Sequence, residues 1–147
     1  MTMKSILESW PMWAILSAVF AAMTAILAKV GVQDISSNYA TFIRTVVVFI
    51  FLSALLAATG EFHPLPLVTG KSLLFLVLSG LATGASWLCY FHALKLGPVS
   101  QVATIDKLSL LLVAVLGVFV LGEKLAVRGW LGVAFMVAGA ALVALRR

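Results

Sequence analysis

Charge is what this sequence has least of. Only 10% of its 147 residues are charged, ten Lys and Arg against five Asp and Glu, where a soluble domain carries about one-quarter. Too few charges remain to cover a water-facing surface, which excludes a soluble globular domain. The length leaves room for one domain and no separate soluble one. The basic residues are scattered, with no Lys/Arg run and no interleaved aromatics, so the net charge of +5 carries no nucleic-acid footprint. The single cysteine, Cys89, excludes an intrachain disulfide; inside an apolar stretch it reads as a small packing residue. Two histidines and one cysteine supply neither a set of metal ligands nor a nucleophile–base pair, so no enzyme, metal or other cofactor is expected. No nucleotide-binding motif is present, so ATP is not implied.

What is present is apolar: 63% of residues, with mean hydropathy +1.18. Five apolar segments run over about 11–30, 39–59, 72–94, 99–121 and 127–145. Each holds roughly 20 residues, and at ~1.5 Å per residue that is ~30 Å, the thickness of a bilayer core. In lipid the backbone must satisfy its own hydrogen bonds, so these segments are helices. The expected fold is an all-α integral membrane protein with five transmembrane helices in a single domain over 1–147. The first segment follows Lys4 and precedes small residues, as in a signal peptide. Its apolar run is too long for one and no polar domain follows, so it reads as a span.

The connections are short. VQDISSN (32–38) offers Asp34, Ser36, Ser37 and Asn38 as N-caps for the second helix. GEFHPLPLVTGK (60–71) is the longest connection, LGP (96–98) places Gly97 at a helix end and Pro98 at a helix start, and GEKLAV (122–127) is a tight turn. None holds an active site of its own. Trp10, Trp13, Tyr39 and Trp130 sit near segment ends, as interfacial anchors do. Gly80 and Gly84 form a GxxxG on the third helix, and Gly132 and Gly139 are seven apart on the fifth; such spacings mark close helix contacts in membranes.

With five spans the termini lie on opposite sides. Lys4, Lys71, Lys124 and Arg128 fall on the N-terminal side, and Lys29, Lys95, Arg146 and Arg147 on the other, four against four. Arg44 and Lys107, inside spans, make it four against six. The positive-inside rule then expresses little preference, and mixed insertion is expected. An odd helix count makes the two orientations true inversions, and two such copies reproduce the inverted-repeat plan of many transporters.

Some charges lie inside the spans. In VATIDKLSLLLVAV (102–115) an apolar run carries Asp106 and Lys107. Either charge costs ~2.5–3.5 kcal/mol at mid-bilayer, against ~0.3–0.6 kcal/mol returned by one Leu, so each offsets several leucines. Asp106 is about eight residues past Pro98, ~12 Å along its helix, and Arg44 about six past Asn38, ~9 Å along. Similar depth allows them to pair. His92, Tyr90 and Trp87 reach the same region from the third helix. Lys107 points about 100° from Asp106 on a regular helix, and its stem reaches the nearby interface. Ionisable groups in lipid default to function; pairing for assembly is the competing reading.

The stretch LLVAVLGVFVLGEKLAVRGWLGVAFMVAGAALVAL (111–145) resembles the EamA domain of the drug/metabolite transporter superfamily: an apolar helix ending LGEK, a short turn, then a Gly-rich helix opening RGWLG and containing AGA. WAILSAVFAAMTAILAKVGV (13–32), YATFIR (39–44) and SGLATGASWLCYFHALKLGPVSQVA (79–103) are similar to its first three helices. Typical members join two EamA halves of opposite orientation, so the resemblance implies one half of an inverted-repeat transporter, the short five-helix branch. Many members carry Pro near the middle of the fourth helix, where this chain has Asp106-Lys107. The small multidrug-resistance relatives carry an essential acid in the first helix, which this chain lacks, so their mechanism is not carried over. The expected function is secondary transport of a small metabolite or drug across the inner membrane of a bacterial or archaeal cell. The expected partners are a small-molecule substrate, the bilayer and a second copy, as an antiparallel homodimer. Asp106 is the candidate for proton or substrate handling, with Arg44 as counter-charge and His92, Tyr90 and Trp87 lining the cavity. A non-transporting membrane subunit that stabilises a partner is the alternative.

Overall fold

A computed structural model describes residues 9–62 and 68–144. Lys4, His63, Pro64, Pro66, Arg146 and Arg147 lie outside them. The described residues are helical without a strand: α1 Trp10–Gly31, α2 Ser37–Thr59, α3 Gly70–Leu96, α4 Val99–Asp106, α5 Ser109–Leu121 and α6 Val127–Ala144. Counting α4 and α5 as one stretch, Val99–Leu121, five helices are long and apolar enough to cross a membrane.

Local chemistry explains the boundaries. Of the four cap candidates before α2, Ser36 takes the position: its backbone is extended and its Oγ accepts from the Tyr39 N–H at 3.3 Å. Ser37 is therefore helical, and α2 starts two residues earlier than the apolar run. Gly60 ends α2 at φ +69, a left-handed conformation that glycine adopts without steric cost, and its N–H returns to the Leu56 carbonyl. Gly122 ends α5 in the same way at φ +69. Pro98 is the residue before α4, with Val99 the first helical position.

The fourth apolar stretch is not one regular helix. At its centre the Lys107 N–H donates to Thr104 O at 3.2 Å and the Leu108 N–H to Ile105 O at 2.9 Å. The Leu110 and Leu111 N–H groups likewise reach back three residues, to Lys107 O and Leu108 O. The ψ values of Lys107 (−9°) and Leu108 (−19°) belong to a tight 3₁₀-like turn, not to an α-helix. Asp at 106 favours this, because a short polar side chain competes for backbone groups.

The described residues form two compact units, one of residues up to Leu27 with those from Leu96 onward, the other Ala28–Lys95. In the first, α4 and α5 both pack on α6, and Gly117 and Ala140 are buried. In the second, Val32 and Leu94 are fully buried, with Ala40 and Phe91 close to it. Lys29 Nζ donates to Leu94 O at 2.5 Å and Lys95 Nζ to Ile35 O at 2.6 Å, so cations satisfy carbonyls at the end of α3 and in the α1–α2 turn. Thr41, Thr45, Thr83 and Thr104 each donate to the carbonyl four residues back, which removes a bare hydroxyl from the apolar face.

Most large apolar side chains are exposed, among them Phe49, Phe119 and Phe135. In water such a surface would aggregate; along membrane spans it is the face for lipid. Trp10, Trp13, Tyr39 and Trp130 are exposed within four residues of helix starts, where anchors belong. Cys89 is exposed on α3, not packed as its apolar surroundings suggested.

Candidate functional site

Charged side chains gather with other side chains at two places within the spans. The first lies in the unit Ala28–Lys95. Ser37, Thr41 and Arg44 fall at four- and three-residue intervals, so they share one face of α2. Trp87 and Phe91, four apart, share a face of α3. The Arg44 guanidinium carbon lies 4.2 Å from the Trp87 ring centroid and 5.6 Å from that of Phe91. Both distances are within the ~6 Å range of a cation–π attraction. About two helical turns away, Ser37 Oγ and His92 Nδ1 share a long hydrogen bond at 3.5 Å. Tyr90, on the same helix α3, is half-buried.

The second place is the interrupted span. Lys107 Nζ stands 3.7 Å from Asp106 Oδ2, and both side chains are exposed, 57% and 40%. The regular-helix geometry that turned Lys107 away from Asp106 does not apply, because the tight turn and a flexible stem bring the ammonium back. A cavity of about 140 Å³ adjoins the turn, lined by Thr104, Lys107, Leu108 and Leu111 against Met136 and Ala140 of α6. Lys107 thus contributes to a cavity wall, while the Asp106 side chain does not.

The sequence-derived candidates separate accordingly. Arg44, Trp87, Tyr90 and His92 come together in one unit, and Asp106 and Lys107 come together in the other. The partners these charges take are the aromatic rings for Arg44 and Lys107 for Asp106. Phe91 and Ser37 were not foreseen as members. Phe91 was legible as the i+4 neighbour of Trp87, and Ser37 only as a cap candidate. Gly80, Gly84, Gly132 and Gly139 meet nothing within 4 Å of where a Cβ would stand. The close approaches in the chain are elsewhere. Glu123 donates its N–H to Gly117 O at 3.0 Å, and its Oε2 lies 2.9 Å from where a Cβ added at Gly117 would stand. This fold-back of the LGEK turn was also not foreseen. Among the described residues no three His, Cys, Asp or Glu gather to hold a metal ion.

Five helices long and apolar enough to cross a membrane, with charges held inside them, define the class as a multi-pass membrane protein. Residues 8–145 match the EamA-like transporter family, and the chain belongs to it. It is similar to a Sinorhizobium sp protein called "Uncharacterized transporter in cobO 3'region", 58% identical over 137 residues that cover 93% of this chain and 97% of that one. No solved structure matches it.

Proposed function

We propose that the protein is a secondary transporter of the inner membrane of a bacterial or archaeal cell, moving a small metabolite or drug by alternating access as an antiparallel homodimer. The observation that carries this reading is the interruption of the fourth span at Asp106-Lys107-Leu108. Transporters place substrate and ion sites at discontinuous helices near the midplane, where freed backbone groups and charged side chains face a cavity. Asp106 is the proton-handling group and Lys107 its counter-charge at 3.7 Å. A second copy in the opposite orientation completes the inverted-repeat plan that one five-helix half lacks. The near-even distribution of Lys and Arg supports insertion in both orientations.

The test is flux in proteoliposomes made from the purified protein, with an imposed pH gradient and a panel of small metabolites and drugs. Gradient-driven accumulation of a panel member, absent from protein-free vesicles, is the expected result. A protein that assembles and stabilises a partner chain, yet moves nothing across any gradient, would be a non-transporting subunit.

A further inference from the structure

We infer that Arg44, Trp87 and Phe91 form a cradle for the carboxylate of a small monoanionic solute with an apolar body; as the cargo of the protein, that solute rests on the transport reading above.

Arg44 is seven residues past Ser37, ~10 Å into α2 at ~1.5 Å per residue. Within Ala28–Lys95 the acids are Asp34 and Glu61, both exposed and both outside the helices. Neither pairs with Arg44, which has the rings of Trp87 and Phe91 beside it and Tyr90 near it on α3. A ring offers a quadrupole and no hydrogen-bond acceptor in the guanidinium plane. The Trp87 ring, 4.2 Å from the guanidinium carbon, holds the cation without supplying an oxygen acceptor, so the guanidinium keeps N–H donors for a ligand. That fork matches a carboxylate, which accepts two parallel N–H bonds.

Charge counting narrows the class. One guanidinium in an apolar setting neutralises one negative charge, and a dianion would leave a charge unpaired where desolvation is costly. A zwitterion would bring an ammonium for which this unit has no carboxylate within its spans. The apolar flank is Trp87 and Phe91, which suits an aromatic or aliphatic body. The Ser37–His92 pair on the same face of α2 supplies a second polar point about two turns away.

The same oxyanion chemistry occurs in lipid headgroups, so the probes must separate solute from lipid. Protein reconstituted in phosphatidylcholine vesicles is titrated with phenylacetate, phenethylamine and phenyl phosphate, reading tryptophan fluorescence and binding heat. Phenylacetate is expected to bind about tenfold or more tightly than either of the others, and Arg44→Lys, which keeps charge but loses the fork, to weaken it by about tenfold. Equal or better binding of phenethylamine overturns the proposal on the unaltered protein, whether or not the variant folds. So does phenylacetate affinity unchanged in Arg44→Lys. Saturation by phosphatidylglycerol that depends on Arg44, without phenylacetate binding, assigns the cradle to a headgroup and also overturns it. Arg44-dependent phenylacetate binding, with neither it nor any panel solute moved across a gradient, upholds the cradle and removes the transport reading. Flux of other solutes without phenylacetate binding does the reverse.

Discussion

Arg44 of α2 sets its guanidinium carbon 4.2 Å from the ring centroid of Trp87 of α3, a cation–π contact between neighbouring helices. Phe91, one turn along α3, adds a second and more distant ring at 5.6 Å. The attraction is strongest for Trp and grows when the cation is desolvated, at about 0.5–2 kcal/mol. Trp87→Leu is expected to lower stability by about that amount, and Trp87→Phe by less, because a smaller ring face remains. Unfolding in detergent, followed by helical circular dichroism, measures both. Equal losses for Leu and Phe would mean that bulk rather than the ring face holds Arg44.

Asp106→Asn keeps the shape of the side chain and removes its proton chemistry. The ion pair to Lys107 is exposed, and such pairs contribute only ~0–1 kcal/mol. The variant is expected to insert, assemble and unfold within about 1 kcal/mol of the parent. Transport driven by a pH gradient should nevertheless be lost. Wild-type flux across the gradient would make the acid structural.

The LGEK turn offers a double-mutant test. Ala at 117 would bring its Cβ to 2.9 Å from Glu123 Oε2, the far end of a flexible side chain. In the interior of α5, Ala is otherwise better than Gly by up to ~1 kcal/mol. In an Glu123→Ala background, Gly117→Ala should therefore stabilise the protein. In the parent, the displaced carboxylate should cancel or reverse the gain. Thermal shifts of the four proteins give the coupling; additive effects would show that Glu123 does not rest on Gly117 in the membrane.

Assembly and orientation are tested together. A side chain added at Gly84 or Gly132 meets open space within the chain, so Gly84→Leu and Gly132→Leu should leave the monomer intact. At a close helix contact between two copies, a Leu would hold the backbones apart. Crosslinking in lipid is expected to show a dimer for the parent and less of it for these variants. A C-terminal reporter should give signal from both compartments; signal from one alone would remove the antiparallel homodimer of this chain.

The sequence by itself determined the class and the number of spans, because run length, charge scarcity and bilayer thickness are one-dimensional quantities. It also determined most boundaries: Ser36, Gly60, Pro98 and Gly122 act on the backbone within a few residues of themselves. The order of the LGEK and RGWLG segments carried the family. Depth along a helix placed Arg44 level with Asp106, but depth says nothing of azimuth. Which face of α2 meets which face of α3 is decided by packing, and packing set Arg44 on Trp87 and Phe91. The same limit applies to Cys89 and the spaced glycines, since spacing along a helix does not say which of its faces meets a neighbour. The turn at Asp106–Leu108 was hidden for another reason. No Gly or Pro marks it, and the switch to three-residue hydrogen bonds became visible only in the folded backbone.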